Sequence, residues 1–208
     1  MTTELMKKIG LTGSIATGKS TVIWMFQEMG ATIINADEIA HKLLEPETVV
    51  WKLLFERYGA RIMQKGHVID RPALAKIIFA HEDERNYVEK AIHPRVHEAI
   101  DHLVFAAAKD GKSYVIVEVP LLFEVRWDKE CDCIVVVHCD PEQQIARCMQ
   151  KFKLTREEAI ARIKIQRPLN AKIAKATFVI DNAGSKTETL VQTQRLFRMF
   201  EKGEFSPK

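Results

Sequence analysis

The sequence predicts an α/β fold, a five-stranded parallel sheet with helices on both faces. Five short apolar runs alternate with helix-like stretches along the 208 residues, which is typical of such a sheet. The third and fourth runs are almost continuously apolar, as strands buried on both faces should be. The predicted strands cover residues 9–12, 31–35, 114–119, 133–137 and 177–181.

The first predicted strand leads into a loop that fits the P-loop pattern G-x-x-x-x-G-K-[ST]. The loop consists of Gly13, Ser14, Ile15, Ala16, Thr17, Gly18, Lys19 and Ser20. Its backbone N–H groups and the N-terminus of the next helix, predicted to end at Met29, can bind phosphate. Lys19 can reach the β- and γ-phosphates of ATP, and the Ser20 hydroxyl can ligate Mg²⁺. The alternative is a chance match, but the flanking strand and helix favour a three-layer P-loop NTPase fold.

The second predicted strand is followed by a helix over residues 37–44, which should stop before Pro46. Parallel strands end at one edge of a sheet, so Asp37 is expected beside the loop. With neighbouring strands about 4.8 Å apart, Asp37 should lie roughly 10 Å or less from the phosphates. A carboxylate there can accept a proton from an attacking hydroxyl. Alternatively, Asp37 only caps its helix, and the two roles can coexist.

Residues 47–110 contain no strong strand and predict an all-helical insertion, with helices over residues 49–58, 71–79 and 83–109. Pro94 should split the last stretch and start a new helix that runs to Lys109. His93, which precedes this proline, has either a structural or a substrate-binding role. Arg95 can grip a substrate phosphate, because a guanidinium group suits phosphate geometry.

Glu118 ends the third predicted strand and resembles the acidic residue of a Walker-B strand. Such a carboxylate can hold Mg²⁺ through a water molecule. Alternatively, it faces solvent or pairs with a lysine. Both interpretations stay open at this point.

Three helices are predicted around the last two strands, over residues 141 to about 151, 155–166 and 185 to about 200. Asp140 should cap the first helix, and Thr155 and Ser185 should each open a capping box for the others. The tail from Gly203 onward is expected to fray.

Positive charge is concentrated in one segment of a chain whose net charge is only +3. Nine Lys/Arg and two Glu between Arg147 and Lys175 give that segment +7, so the rest of the chain sums to −4. We expect a helical lid over residues 147–175, because mobile arginines can neutralise a transferring γ-phosphate. A solvated basic face is the alternative. Nucleic acid is a weaker one, since only Phe152 supplies an interleaved aromatic ring.

The cysteine pattern and the hydropathy point to a cytoplasmic protein. No cysteine pair forms C-x-x-C, and no histidine spacing completes a zinc site, so we expect reduced thiols. The first residues lack the apolar stretch of a secretory signal, and no apolar run approaches the ~20 residues of a membrane span. The four cysteines are Cys131, Cys133, Cys139 and Cys148.

Taken together, these residues resemble the dephospho-CoA kinase family from Ile9 to about Leu196. Many families share the P-loop, so other segments decide the resemblance. The most specific of them is Val119-Pro120-Leu121-Leu122-Phe123-Glu124. The other matching positions are residues 35–40, 59–66 and 69–71, Phe79, residues 92–94, Gln144, Arg147, Arg162, Gln166 and residues 179–182.

The resemblance implies an enzyme that moves the γ-phosphate of ATP to the ribose 3′-hydroxyl of dephospho-CoA. The products are CoA and ADP, and the reaction is the last step of coenzyme A biosynthesis. It implies Asp37 as the base, with Lys19 and Arg147 stabilising the transferring group. Asn182 should lie near the ATP adenine, and Thr21 should join the loop residues in binding ATP.

The resemblance also implies the substrate side and the partners. Residues implied for the CoA precursor are Asp37, His93, Arg95, Leu121 and Phe123. The implied partners are ATP, dephospho-CoA and Mg²⁺, with no nucleic acid and no membrane, and the protein is expected to be a monomer. The predicted arrangement is a single kinase domain with a core of residues 1–46, 111–146 and 176–208, the insertion of residues 47–110 and the lid.

Several positions depart from the family pattern. Asn35 replaces the first aspartate of the Asp-Ala-Asp segment, so the catalytic carboxylate must be Asp37. Lys151 stands where arginine is common, and Thr177 replaces an aspartate before the last strand. The loop itself contains fewer glycines than the family favours.

Three other functions are alternatives to the one that the resemblance implies. Another P-loop small-molecule kinase, acting on a nucleoside monophosphate or a sugar acid, would share sheet, loop and lid but is not expected to have the segment of residues 120–124. A nucleotide-dependent switch should carry an N-K-x-D element, which the sequence lacks. A non-catalytic scaffold is disfavoured by intact Lys19, Ser20 and Asp37.

Overall fold

The structure is a computed structural model that describes residues 6–206, and its sheet confirms the predicted α/β fold. Five strands lie in the order β2-β3-β1-β4-β5. β1 pairs in parallel with β3 and with β4, and β4 pairs in parallel with β5. The strands are β1 (Lys7–Gly13), β2 (Ile33–Asn35), β3 (Tyr114–Glu118), β4 (Cys133–His138) and β5 (Phe178–Asp181).

The helices follow the predicted alternation closely. They are α1 (Lys19–Glu28), α2 (Ala36–Lys42), α3 (Val49–Tyr58), α4 (Arg71–Ala80), α5 (Glu82–Lys109), α6 (Pro141–Phe152), α7 (Arg156–Lys164), α8 (Leu169–Ile173) and α9 (Lys186–Glu201). The capping roles of Asp140, Thr155 and Ser185 are confirmed. The short helix α8 and the 3₁₀ turns Gly59–Ile62 and Trp127–Glu130 were not predicted.

The chain forms two compact units, which we describe separately. Within the described residues, the sheet unit comprises residues 6–34 and 104–206, and the helical unit comprises residues 35–103. No helix in the described part of the chain is long and apolar enough to cross a membrane.

The core of the sheet unit lies between the sheet and the helices α1 and α9. Buried β-branched and leucine side chains of β1, β3 and β4 pack against Phe26 and Phe200, whose rings are 6.3 Å apart at their centroids. Phe205 stacks on Phe200 at 5.8 Å, so the predicted fraying from Gly203 is wrong there. The favourable free energy of stacking one aromatic ring on another offsets the conformational entropy lost when the tail is ordered. Residues 207–208 lie outside the described part.

The helical unit has a core of its own, built from α3, α4 and α5. Val50, Leu54 and Leu74 are buried in it. A bidentate ion pair joins α3 to α5, with Arg57 Nε and Nη2 at 2.7 and 3.0 Å from the Glu84 carboxylate. Tyr58 donates its hydroxyl to the same carboxylate at 2.7 Å.

The prediction that Pro94 starts a new helix is wrong, because α5 continues through it. Proline removes one backbone N–H, but several turns of regular helix on both sides hold the axis together. Arg95 adds a local contact, since its Nη1 donates to the Ala91 carbonyl at 2.8 Å. The helix is therefore continuous from Glu82 to Lys109 despite the proline.

Candidate active site

The phosphate-binding loop lies between β1 and α1, at the carboxyl end of the sheet. Gly13 ends β1, and a Cβ atom there would lie 2.5 Å from the Val137 carbonyl oxygen, so no larger residue fits. Gly18 precedes α1 with φ of 93°, a left-handed conformation that glycine adopts without strain. The N-terminal N–H groups of α1 therefore face the space above the loop, where an anion is stabilised.

A cavity of about 350 Å³ opens at this loop. It brings together Lys19, Ser20, Glu118 and Arg147, which the sequence predicted separately as site residues. Its full lining is Ala16, Gly18, Lys19, Ser20, Glu118, Arg147, Gln150 and Lys151. Three cationic side chains face one carboxylate, so the cavity favours a ligand of high negative charge.

A second cavity of about 320 Å³ adjoins the first, since both are lined by Gly18 and Arg147. Thr21 and Asn182, the remaining residues predicted for ATP, line this second cavity. Arg147 Nη1 is buried and has no hydrogen-bond partner among the described residues. A buried guanidinium donor without a partner is costly, which is consistent with a ligand that accepts from it.

Asn182 acts as a junction beneath the loop. Its Nδ2 donates to the Thr17 carbonyl at 2.9 Å, and its Oδ1 accepts from the Thr189 hydroxyl at 3.0 Å. Its own carbonyl accepts from Arg147 Nη2 at 3.1 Å. The side chain that the resemblance placed near adenine thus supports the loop, and the Asn182 backbone carbonyl holds Arg147.

Two glutamines bind the other side of the loop. Gln166 Oε1 accepts from the Ile15 N–H at 2.8 Å and from the Ser14 hydroxyl at 2.9 Å. Gln144 Nε2 donates to the Ile15 carbonyl at 2.8 Å. Thr17 closes the loop internally by donating its hydroxyl to the Ser14 carbonyl at 2.9 Å.

An ion pair between the buried Lys172 and the partly exposed Glu124 lies below the loop and was missed by the sequence analysis. Lys172 is fully buried, and its Nζ is 2.9 Å from the Glu124 carboxylate. It also lies 3.5 Å from the Gly13 carbonyl and 3.4 Å from the Pro120 carbonyl. Burial acts to raise the pKa of Glu124, but hydrogen bonds from Lys172 and from the Arg167 N–H outweigh it and hold that pKa below its usual value.

The predicted residues Asp37, His93 and Arg95 belong to the helical unit. Asn35 Oδ1 accepts from the Glu38 N–H at 3.0 Å, so Asn35 caps α2. The alternative in which Asp37 is the cap is therefore wrong. Asp37 lies in the first turn of α2 with its carboxylate exposed. Its approach to the loop stays a prediction, as does a substrate role for His93 and Arg95.

The remaining site predictions fall in the sheet unit. Leu121 is 42% exposed, whereas Phe123 is buried and has Lys175 Nζ 5.9 Å from its ring centroid. Thr177, one of the departures from the family pattern, accepts from the Ile134 N–H through its hydroxyl at 3.0 Å. The threonine at this position thus helps to attach the last strand to β4.

Arg162, in the predicted lid, lies over the Phe152 ring at 4.2 Å. Lys151 Nζ is 5.5 Å from the same ring. Phe152, the aromatic residue of the basic segment, therefore serves as a platform for two of its cations.

These features define a class of protein, a P-loop enzyme with an anion-binding cavity at the carboxyl end of a parallel sheet. Comparison with known proteins identifies the family. The family model described as dephospho-CoA kinase matches residues 7–188. The chain belongs to the dephospho-CoA kinase family and is a kinase, as the sequence predicted.

Individual relatives agree with this assignment. The chain is 40% identical to a dephospho-CoA kinase of Symbiobacterium thermophilum, over 93% of this chain and 81% of that protein. It is 39% identical to a dephospho-CoA kinase domain-containing protein of Danio rerio, over 90% and 82%. The solved dephospho-CoA kinase of Campylobacter jejuni superposes with a TM-score of 0.72 at 30% identity, over 94% of this chain and 98% of that one.

Proposed function

We propose that this protein transfers the γ-phosphate of ATP to the ribose 3′-hydroxyl of dephospho-CoA. The products are CoA and ADP, and the reaction completes coenzyme A biosynthesis. The observation that carries the proposal is the cationic cavity at the P-loop, in a chain that belongs to the dephospho-CoA kinase family over residues 7–188. The cavity has the charge that a triphosphate needs, and the family specifies the acceptor.

ATP binding is assigned to the loop and its two adjoining cavities. The triphosphate lies against the loop from Gly13 to Ser20, where backbone N–H groups and the N-terminus of α1 bind its oxygens. The base and ribose occupy the second cavity, beside Thr21 and Asn182. Arg147 lines both cavities, so its guanidinium group can donate to the nucleotide.

The residues present fit a magnesium ion carried by the nucleotide. Ser20 and Glu118 line the same cavity and offer the oxygen donors that Mg²⁺ prefers. The described residues contain no cluster of three or more His, Cys, Asp or Glu side chains that could hold a metal alone. Such a site suits an ion held mainly by phosphates and water. When bound, the ion neutralises charge on the β- and γ-phosphates.

The chemistry assigned to the protein is positioning, proton transfer and charge stabilisation. Asp37 accepts the proton of the ribose 3′-hydroxyl as its oxygen attacks the γ-phosphorus. The new O–P bond forms while the bond between the γ-phosphorus and the bridging oxygen breaks, and ADP leaves with that oxygen. Lys19 and Arg147 stabilise the charge that spreads over the γ-oxygens.

The lid and the insertion supply the remaining roles. Residues 147–175 close over the nucleotide and exclude water, so that phosphate passes to the acceptor rather than to solvent. Residues 47–110 bind the CoA precursor with His93 and Arg95, and Leu121 and Phe123 contribute from the segment after β3. Because Arg95 also donates to the Ala91 carbonyl, it reaches an acceptor phosphate with its remaining donors.

We also infer a monomeric, cytoplasmic enzyme. All four cysteines are unpaired, which suits a reducing compartment. Burial raises the pKa of Cys131 and Cys133 to about 12, so neither is a reactive thiolate at neutral pH. Sedimentation equilibrium of the purified protein, with and without nucleotide, tests the oligomeric state. A dimer at micromolar concentration would contradict the inference.

The decisive experiment is ADP release from Mg-ATP with purified protein, with and without dephospho-CoA, and with AMP and gluconate as competing acceptors. Turnover should require dephospho-CoA, and the product should be CoA with its phosphate on the 3′-oxygen by ³¹P and ¹H NMR. Turnover only with another acceptor would overturn the proposed substrate. Slow hydrolysis indifferent to every acceptor would overturn the transferase role altogether.

A further inference from the structure

We propose that Gln144 and Gln166 are positioning residues that hold the P-loop in its phosphate-binding shape through the peptide groups of Ile15. The inference rests on the proposed function only in that the loop binds ATP. It concerns two side chains that are remote from the loop in sequence and to which no substrate role is assigned.

The two glutamines meet one residue of the loop from its two sides. Gln166 Oε1 accepts a hydrogen bond from the Ile15 N–H at 2.8 Å, and Gln144 Nε2 donates one to the Ile15 carbonyl at 2.8 Å. The backbone partners decide which end of each amide faces the loop, because an N–H needs an oxygen and a carbonyl needs an N–H. Gln144 is 4% exposed, so water does not compete freely for this bond.

The residue after Ile15 explains why the loop needs such support. Ala16 has φ of 60°, in the left-handed region that is unfavourable for a residue with a Cβ atom. The Ile15 carbonyl belongs to the peptide group that precedes Ala16. The hydrogen bond from Gln144 therefore fixes the orientation of this peptide group, and φ of Ala16 is the rotation relative to it. This left-handed conformation of Ala16 is therefore supported by a side chain bonded to the neighbouring peptide group.

The arrangement also leaves the right donors for a ligand. The Ile15 N–H is used by Gln166, whereas the N–H groups of Ala16 and Gly18 donate to no described residue. Those two residues line the cavity of about 350 Å³ at the loop, which favours a ligand of high negative charge. A fixed Ile15 peptide therefore presents the amides that follow it to the phosphates.

Gln144 lies on one of the two helices that carry basic residues of the predicted lid, and Gln166 lies just after the other. Gln144 lies on α6, one turn before Arg147, and Gln166 follows α7, which carries Arg162. The two hydrogen bonds thus connect the loop to both arginine-bearing helices. The shape of the loop and the position of those helices are expected to depend on each other.

The first test uses amide hydrogen exchange by NMR in nucleotide-free protein. In the described structure the Ile15 N–H bonds only to Gln166, so its exchange rate reports that contact. Gln166→Met should raise the rate about tenfold or more, whereas Gln166→Glu should keep it slow because a carboxylate still accepts. Equal rates in the wild type and in Gln166→Met would overturn the proposal. Gln27→Met, at an exposed position of α1, is the control.

The second test measures ATP affinity by calorimetry without any acceptor. Gln144→Met and Gln166→Met should each weaken binding about tenfold, and their double variant by less than the product, since both act on one residue. Gln144→Glu should weaken ATP binding as much as Gln144→Met does, because a carboxylate cannot donate a hydrogen bond to the Ile15 carbonyl. Unchanged affinity in both methionine variants would overturn the positioning role.

These measurements separate the two proposals. A protein whose ATP affinity depends on both glutamines but which does not phosphorylate dephospho-CoA would refute the proposed function alone. A protein that makes CoA normally in both methionine variants, with unchanged KM for ATP, would refute the positioning role alone. Thermal unfolding of each variant identifies any that is simply unfolded.

Discussion

In the sheet unit, polar side chains from distant parts of the chain converge on the backbone of one loop, whereas in the helical unit they join one helix to another. Gln144, Gln166 and Asn182 bond to peptide groups between Ile15 and Thr17. In the helical unit a bidentate polar contact runs from the side chain of Arg57 to the side chain of Glu84.

The difference teaches what each set of contacts can do. Hydrogen bonds to a loop backbone fix where its N–H groups point, so their loss should alter ligand binding more than overall stability. A side-chain ion pair between two helices fixes helix packing, so its loss should alter stability and leave the nucleotide site unchanged. The following predictions test this division, from the largest expected effect to the smallest.

Lys19→Ala should lower kcat about 10²–10³-fold or more while the protein remains folded, because the ammonium group lines the proposed phosphate cavity. Steady-state kinetics and thermal unfolding of the same sample check both parts. Wild-type turnover would remove Lys19 from the mechanism. An unfolded variant would instead place Lys19 among the residues that hold the sheet unit together.

Asp37→Asn should lower kcat by about 10²–10⁴-fold with ATP affinity unchanged, because every residue that lines the two cavities proposed for the nucleotide lies in the sheet unit. Kinetics with dephospho-CoA and calorimetry with ATP measure the two quantities. Glu38→Gln is the matched control, an exposed acid beside Asp37 in the first turn of the same helix. Near-normal turnover in Asp37→Asn would rule it out as the base.

Glu124→Gln should destabilise the sheet unit by about 3 kcal/mol, because it leaves the fully buried Lys172 ammonium without its counter-charge. Urea unfolding gives the change. The double variant Lys172→Met, Glu124→Leu should lose less stability than the single variants Lys172→Met and Glu124→Leu lose together. Additive losses would mean that the two side chains act independently.

Glu84→Gln should destabilise the helical unit near neutral pH but not in acid. The Arg57 and Tyr58 hydrogen bonds hold the pKa of Glu84 at about 2, below its ordinary value of 4.5. Stability from a lowered pKa is present above 4.5 and is lost as the pH falls from there towards 2. Urea midpoints of wild type and variant should therefore converge as the pH is lowered through this window. A constant difference would contradict the ion-pair explanation.

Replacing left-handed residues by glycine should stabilise either unit by about 1 kcal/mol, but with different consequences for activity. His67 in the helical unit and Ala16 in the sheet unit have φ of 61° and 60°. His67→Gly should raise the melting temperature with unchanged ATP affinity. Ala16→Gly should raise it too and change that affinity, because the residue lies in the loop. Equal ATP affinity in both variants would weaken the contrast between the units.

Much of this architecture could be predicted because its signals are local. Capping boxes at Thr155 and Ser185, the glycines of the loop and the apolar strands are all visible in a few consecutive residues. The start of α2 was misplaced by one residue because Asn35, assessed only as a missing aspartate, is the cap. The prediction of a new helix at Pro94 was wrong because proline's local preference for a helix start does not take account of the length of α5, which continues past it.

The support of the site could not be predicted in the same way. Lys172 was counted in a basic segment that was interpreted as a lid or a solvated face, and no neighbouring residue distinguishes a buried lysine from an exposed one. Its partner Glu124 is 48 residues earlier in the chain. Gln144 and Gln166 likewise gain their roles from contacts with Ile15 that only the folded chain creates. Sequence patterns located the loop, but not what holds it.

The contact between Trp24 and Lys186 places an indole ring beside the second cavity, so its fluorescence should report on a ligand there. Trp24 is 48% exposed, and Lys186 Nζ lies 4.7 Å from its ring centroid, while Lys186 also lines the second cavity. Trp51 and Trp127 are buried and should contribute a steady background. With the base bound in that cavity as proposed, Lys186 should move and the emission of Trp24 should change, so nucleotide binding should be measurable without a label.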